Sequence, residues 1–428
     1  MGLQVIWTHY ARAIFEDKVS TLITDARILS INLFHACLLS ELQEKNQLLK
    51  AKERFSSWKT DRDVRFGLLI LLEDILTHVF YEQIEQGSVD SAGLVGMVKA
   101  GQVHRGKAEI RLRAEQKSGI LINQIQLGMM GRNKGGLISM GLLNADLVPV
   151  PEIRGQFPEL FQSWPGALKL KESLSCFISE EVLSAKKGNF PELQYEYIRT
   201  RDSFLDVRKG YIEVFGKRKL PLPMREFWIS RLGFRSGAAK AIYEACGVLQ
   251  TEGNPADPEK IMQLAGKALT STPGESEKID TILRLEPFLS LAEYVFRFIN
   301  QKDARRISDL EPELSLLRQQ LVAAGSPERM QMASQHRRLK SLLRVINATD
   351  PLHNWLAGIV QYHRETMEMR KNTPWLELQP QGVLNHFQYA SLPEGMQDPR
   401  QFLAMENRPW FHRYYVDSVQ SLRSLLSP

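Results

Sequence analysis

Two groups of side chains have a helical spacing that could support acid–base chemistry. Asp74 and His78 are four residues apart in an apolar stretch, so they share a helix face, and a carboxylate that orients a histidine is half of an acid–base pair. Glu286, Glu293 and Arg297 share a face in the same way. Neither group has a recognisable nucleophile beside it. We therefore interpret the first as an intrahelical contact and Glu293 with Arg297 as an exposed ion pair.

The sequence does not have the residue spacing that a metal site or a nucleotide site requires. The nine histidines include no His-x-x-x-His pair, so the sequence predicts no metal site. The stretch Gly131-Arg-Asn-Lys-Gly-Gly136 has glycines and a lysine that could approach a phosphate, but it does not have the P-loop spacing. We interpret it as a turn in a basic, glycine-rich loop over 128–136. No cofactor and no catalytic residue is predicted, while a nuclease built from dispersed carboxylates stays open.

Positive charge is concentrated in one part of the chain. Eight lysines and arginines lie between Lys99 and Lys134, against Glu109 and Glu115, and this excess equals the net charge of +6 of all 428 residues. A local positive field attracts a polyanion through steering and released counterions. The candidate nucleic-acid-binding residues of this basic stretch are Lys99, Arg105, Lys107, Arg111, Arg113, Lys117, Arg132 and Lys134.

Two further segments combine helical pattern with cations. Residues 221–247 predict helix, tight turn and helix, which is compatible with a helix-turn-helix or winged-helix unit that reads DNA with Arg231, Arg235 and Lys240. A helix hairpin that touches no DNA is the alternative. Residues 327–348 predict a basic amphipathic helix, which we interpret as a solvated face, with nucleic acid or an acidic partner as the alternative.

The elements that must position these residues are mostly helical. Apolar content of 43% and charged content of 24% are typical of a folded protein. Apolar periodicity predicts a long helix over 26–55 and a core helix over 66–81, and 211–216 alternates like a strand. We predict a mainly α fold with a small β component in its first two segments. The predicted domains are an N-terminal helical domain 1–148 with the basic loop, a middle domain 149–274 and a C-terminal helical domain 275–428.

Cysteine usage and the N-terminus indicate the compartment. Cys37, Cys176 and Cys246 are far apart, which is typical of a reducing cytosol. The N-terminus has no signal-peptide pattern, and the most apolar run, 66–80, is too short to cross a bilayer. The sequence therefore predicts a cytoplasmic protein with no membrane partner.

Some short stretches resemble a known group of proteins. Phe15, then Ser20-Thr-Leu-Ile-Thr-Asp-Ala-Arg27, then the apolar helix around Phe34, resembles the opening of uncharacterised bacterial proteins from anti-phage defence and mobile-element islands. Two later stretches are similar in their order, the glycine-rich loop before Gly141-Leu-Leu and residues 363–375 with their basic residues and Pro-Trp. This chain has Asp17-Lys18 where those proteins have Pro-Gly, and Asp25 where they have Arg. The resemblance implies a bacterial defence setting and no catalytic residue. Locally, we expect Ser20 or Thr24 to cap a helix, with Asp25 in its first turn.

These observations predict a non-catalytic, DNA-engaging component of a bacterial anti-phage defence or mobile-element system that works with other protein subunits. Two alternatives stay open. One is a protein-interaction scaffold subunit without nucleic-acid binding, whose basic patches meet acidic protein surfaces. The other is the nuclease with dispersed carboxylates.

Overall fold

The structure is a computed structural model that describes residues 2–84, 86–106, 109–115, 120–121, 123–253, 257–301, 306–326, 336–406 and 408–427. Across these residues it is mainly helical, with two small antiparallel sheets of two strands each, and this confirms the predicted mainly α fold with a small β component. The placement of the β component in the first two segments was wrong for the second sheet, which lies within 376–386. Within the described part of the chain, no helix is both long and apolar enough to span a membrane.

Internal contacts divide the chain into two compact units. We call Phe15–Arg235 with Asp417–Pro428 the N-terminal unit, and Met1–Ile14 with Ser236–Val416 the C-terminal unit. The division into segments 1–148, 149–274 and 275–428 stays a prediction.

The N-terminal unit is built around two helices that are buried on nearly all sides, α2 and α4, as expected of helices that are apolar all round. Helix α5 packs on α4, α7 packs on α2, and α11 packs on α9. Strand β1 pairs antiparallel with β2. In chain order the elements are α2 Ala26–Glu44, α3 Leu49–Arg54, α4 Asp61–Ile84, α5 Met97–Arg105, β1 Arg111–Arg113, α6 Gln124–Leu127, α7 Met129–Ser139, α8 Pro151–Gln162, α9 Ala167–Phe177, a π-helical turn Ile178–Val182, β2 Glu192–Gln194, α10 Tyr195–Ile198, α11 Asp202–Phe215, α12 Leu222–Arg231 and, near the end of the chain, Val416–Leu426.

The C-terminal unit centres on the long helix Pro273–Ile299, which buries Glu286 completely. One Glu286 oxygen accepts hydrogen bonds from Trp7 Nε1 at 2.8 Å and from the Tyr414 hydroxyl at 2.7 Å, and the other accepts from Ser290. In chain order the elements are α1 Gln4–Phe15, α13 Gly237–Thr251, α14 Pro258–Ala268, α15 Pro273–Ile299, a 3-10 turn Ile307–Leu310, α16 Glu311–Ala324, α17 Arg337–Ile346, α18 Leu352–Met369, β3 Leu376–Leu378, β4 Leu384–His386 and α19 Pro399–Ala404. The last helix of the chain, Val416–Leu426, was given above with the N-terminal unit and is called α20.

Three predictions of secondary structure were wrong. The helix predicted over 26–55 ends at Glu44, since Asn46 adopts a left-handed conformation (φ 57°), which asparagine tolerates, and α3 follows separately. Residues 211–216 are not a strand: 211–215 are the end of α11 and Gly216 is its C-cap, because Phe204, Val207, Tyr211 and Val214 recur at helical spacing and are buried. The stretch 128–136 is not a loop: apart from Gly128, which caps it, it belongs to α7.

Candidate nucleic-acid interface

The two arginines of strand β1 are neutralised by acids on both sides. Arg113 lies opposite Glu192 of β2, and Arg113 Nε is 2.6 Å from its carboxylate. Arg111 pairs with Glu109 at 2.6 Å and with Glu192 at 3.2 Å, and the hydrogen bond to Glu109 raises the pKa of Arg111. Cross-strand pairs of opposite charge stabilise a two-stranded sheet. The charges of Arg111 and Arg113 are therefore balanced by Glu109 and Glu192, although both arginines are in contact with solvent.

Four other cations of the basic stretch form no ion pair with any residue that the structure describes. Lys99 and Arg105 are exposed on α5, Arg132 is exposed on α7, and Lys134 of α7 is half-buried. Arg105 Nε donates to the Gly101 carbonyl at 3.1 Å, and Arg132 Nε donates to the Leu127 carbonyl at 3.0 Å. These contacts orient the guanidinium groups of Arg105 and Arg132 but bring no described acid to their charge. Lys107 and Lys117 lie outside the described residues.

The three cations predicted to read DNA from 221–247 are all ion-paired. Arg231 pairs with Glu152 at 2.8 Å, and Arg235 pairs with Glu226 at 2.6 Å. Lys240 lies 3.6 Å from the carboxylate of Glu244, one helical turn along α13. The two predicted helices are present as α12 and α13, but α12 belongs to the N-terminal unit and α13 to the C-terminal unit. The helix-turn-helix stays a prediction.

A buried carboxylate anchors the helix that carries Arg132 and Lys134. Glu73 of α4 is 3% exposed; its Oε1 accepts from the Met130 backbone N–H at 2.6 Å and its Oε2 from Gln124 Nε2 at 3.0 Å. The amino end of a helix has free N–H groups and a positive dipole, so a carboxylate stabilises it. Burial raises the pKa of Glu73 to about 7, although the hydrogen bonds from Met130 and Gln124 oppose that rise.

The predicted contact between Asp74 and His78 is replaced by contacts with other segments. Asp74 Oδ1 accepts from the Ile120 N–H at 3.4 Å, and burial raises the pKa of Asp74 well above its ordinary value. His78 Nδ1 lies 3.0 Å from Nε2 of His104, and burial, with His104 as a second cause, lowers the pKa of His78 to about 3. Asp74 and His78 are both buried, at 1% and 3% exposure. In the sequence, the sign of this buried cluster was the presence of two acids, Glu73 and Asp74, inside the most apolar run of the chain, 66–80.

Asp25 and Arg27, at the end of the stretch 20–27, have structural partners in the N-terminal unit. Asp25, not Ser20 or Thr24, caps α2 by accepting from the Arg27 N–H at 2.8 Å, because it directly precedes the first helical residue. Asp25 also pairs with Arg218 at 3.2 Å. The fully buried guanidinium of Arg27 donates to three backbone carbonyls, those of Asp90, Ala92 and Phe215.

Arg132 also lines a small cavity of about 240 Å³ next to this stretch. Thr21, Thr24 and Asp25 form the wall that comes from the resemblance stretch, and Leu94 lies before α5. The cavity thus connects the start of α2 with a cation of α7. It offers one positive side chain and two threonine hydroxyls to a small ligand, beside a carboxylate.

Among the described residues, no group of three or more His, Cys, Asp or Glu side chains could hold a metal ion. Comparison of the chain with protein-family models, with curated proteins and with solved structures gives no match.

Proposed function

We propose that the chain is a non-catalytic, DNA-engaging subunit, and that it holds phosphates mainly through Lys99, Arg105, Arg132 and Lys134. The observation that supports this most is that these four cations have no ion-pair partner among the described residues, although five of the nine described candidates do. An uncompensated surface cation retains its full attraction for a phosphate. Phosphate contacts position a protein on DNA without reading its sequence.

The setting is part of the same proposal. The resemblance of 20–27 and 363–375 supports a place in a bacterial anti-phage defence or mobile-element system, in the cytoplasm and with other protein subunits. The scaffold alternative draws on the same four unpaired cations, which would also attract an acidic protein surface. Arg111, Arg113, Arg231, Arg235 and Lys240 are all paired with acids of this same chain and support neither partner.

A comparison of two neutralised variants tests the interface. The first, Lys99→Gln, Arg105→Gln, Arg132→Gln and Lys134→Gln, removes the four unpaired cations. The matched control, Arg111→Gln, Arg113→Gln, Arg231→Gln and Arg235→Gln, also removes four charges, so both variants change the net charge from +6 to +2. Binding to two unrelated labelled duplexes is measured by fluorescence anisotropy over a range of salt concentrations.

The wild type should bind both duplexes alike and lose affinity steeply with salt. The first variant should bind more weakly, with a salt slope that is flatter by about 0.9 for each phosphate that it no longer neutralises. The control should bind DNA nearly as tightly as the wild type, because acids of this chain already neutralise its four arginines. It should also stay folded, since exposed ion pairs contribute less than about 1 kcal/mol each to stability. Equal weakening in both variants would show that only net charge matters. A wild type that binds no duplex even at low salt would leave the scaffold alternative ahead.

The nuclease alternative has its own test. Incubation of the wild type with supercoiled plasmid and Mg²⁺ or Mn²⁺ should leave the plasmid uncut. Cleavage that is abolished by changing a single acidic residue to alanine would overturn the non-catalytic proposal.

A further inference from the structure

The C-terminal unit contains a cavity of about 880 Å³ between helices α1, α17 and α18. Small-molecule sites in proteins are typically about 300–1,000 Å³. The charged and aromatic side chains that line it are His9 of α1, His336 and Arg337 at the start of α17, and Tyr362 and Glu365 of α18; Arg338 and Glu368 also contribute.

Two guanidinium groups of this cavity lack acidic partners within the described part of the chain. Arg337 and Arg338 form no ion pair with any residue described there, and Arg337 is exposed. Arg338 Nη2 contacts only the Met369 sulfur, at 3.7 Å, and Arg338 Nη1 is buried with no acceptor among the same residues. Thioether sulfur is a weak acceptor, and leaving a buried charged donor unsatisfied costs free energy. An anionic ligand in the cavity would give the exposed Arg337 guanidinium an acidic partner, and Arg338 Nη1, which is closed to solvent, would have to turn toward the cavity to reach one.

The position of these arginines adds to the local positive potential. They are the first two residues of α17, whose first turn contains no acid, and His336 caps the helix by accepting from the Leu339 N–H at 3.3 Å. Cations are normally disfavoured at a helix N-terminus, where the dipole is already positive and anions are stabilised. Three features therefore lie at the same place. They are the cavity, the guanidinium group with an unsatisfied donor, and the N-terminus of α17.

The remaining walls indicate what else the ligand must carry. The rings of His9 and His336 lie with centroids 4.7 Å apart, and burial, followed by the charges of His9 and Arg338, lowers the pKa of His336. Neutral His336 offers a flat ring face rather than a charge. On α18, Glu365 accepts from Gln361 at 3.0 Å and Glu368 from Arg364 at 2.9 Å. Carboxylates repel a bare anion but accept hydrogen bonds from hydroxyl groups.

We propose that this cavity binds a nucleotide, with its phosphate at Arg337 and Arg338, its base against the imidazole rings and its ribose hydroxyls toward Glu365 and Glu368. A nucleotide combines an anion, a flat ring and hydroxyl donors in one molecule. These three groups match the arginines, the imidazole rings and the carboxylates that line the cavity. This site is separate from the basic stretch 99–134 and does not depend on the DNA-binding proposal.

Isothermal titration of the full chain with AMP, ATP, ribose 5-phosphate and inorganic phosphate tests this proposal. The variant Arg337→Gln, Arg338→Gln removes the phosphate contacts. The matched control, Lys340→Gln, Arg344→Gln, removes two exposed cations from the same helix that do not line the cavity. The single variant Arg337→Gln changes an exposed residue and keeps the test valid if the double variant folds poorly. Circular dichroism checks the fold of each.

The wild type should bind a nucleotide more tightly than ribose 5-phosphate, and ribose 5-phosphate more tightly than phosphate. Removing the two arginines should weaken nucleotide binding by about tenfold or more, because charge-assisted hydrogen bonds disappear with them, and the control should stay within about twofold. No nucleotide binding by the wild type would overturn the proposal. Equal weakening in variant and control, or phosphate binding as tight as nucleotide binding, would overturn it as well.

Discussion

Replacing Glu73 by glutamine should flatten the decline in stability that the N-terminal unit undergoes between about pH 5 and pH 7. Glu73 is buried on α4 and accepts hydrogen bonds from Met130, at the start of α7, and from Gln124. Glutamine has nearly the same shape and can still accept from Met130, but it does not ionise. Any constant cost of rearranging the contact with Gln124 applies at every pH and so does not affect the slope.

The magnitude follows from the pKa of Glu73, which burial raises from 4.5 to about 7. Below pH 4.5 the carboxyl is protonated in the folded and unfolded chains alike, and the stabilisation from the raised pKa is complete. As the pH rises, the unfolded carboxyl ionises first, so folding must take up a proton, and the stabilisation is lost by about pH 7. This loss amounts to about 3 kcal/mol in total, since one pKa unit corresponds to about 1.4 kcal/mol.

Buried histidines act in the opposite direction and must be separated from this effect. Burial lowers the pKa of His35 and of His78 from 6.5 to about 3, so their contribution is complete above pH 6.5 and is lost as the pH falls toward 3. Because both histidines are present in the wild type and in Glu73→Gln, their effect cancels in the difference between the two proteins.

Urea unfolding of wild type and Glu73→Gln at several pH values from about 5 to about 8 gives that difference directly. The free energy of unfolding of the variant should rise relative to that of the wild type by about 2.5 kcal/mol across the window, since the rest of the loss occurs below pH 5. Glu159→Gln, which changes an exposed residue of α8, is the control and should run parallel to the wild type. A constant difference at all pH values would show that folded Glu73 is ionised and that its hydrogen-bond donors outweigh its burial.

Three substitutions test other contacts by thermal unfolding. Gly128→Ala should destabilise by about 1–3 kcal/mol, because the added Cβ would collide with the Glu73 carboxylate and lie 2.5 Å from the Gln124 carbonyl oxygen. Gly135→Ala should instead stabilise by about 0.8–1 kcal/mol, since it lies inside α7 with nothing within 4 Å of the added Cβ; destabilisation would contradict a helix at this position. Tyr414→Phe should cost about 0.5–1.5 kcal/mol, because it removes a 2.7 Å hydrogen bond to the carboxyl of Glu286, whose pKa burial raises to about 8, and an unchanged melting temperature would show that this bond contributes nothing.

The sequence predicted those elements whose signal is long and local. The apolar run 66–80 predicted the buried helix α4, which extends from Asp61 to Ile84. The predictions made from stretches of only six to nine residues were wrong. The alternation in 211–216 is also part of a helical pattern, and the glycines of 128–136 fit inside a helix. Glu286 shows a different limit. It shares a helix face with Glu293, but its partners Trp7 and Tyr414 come from opposite ends of the sequence, so no local pattern could reveal that it is buried.

The same limit applies to counting charge along the chain. Within the basic stretch the sequence has only two acids, yet Glu192 neutralises Arg111 and Arg113 from about 80 positions away, and Glu152 pairs with Arg231 over a similar separation. If all eight cations of the stretch met phosphates, log K should fall with log salt with a slope of about −7. The four unpaired cations alone would give about −3.6, and Lys107 and Lys117 would extend this to about −5.4 at most. A measured slope near −7 would mean that DNA displaces the acids from Arg111 and Arg113. A shallower slope would mean that these two arginines stay paired with acids of the folded chain when DNA binds.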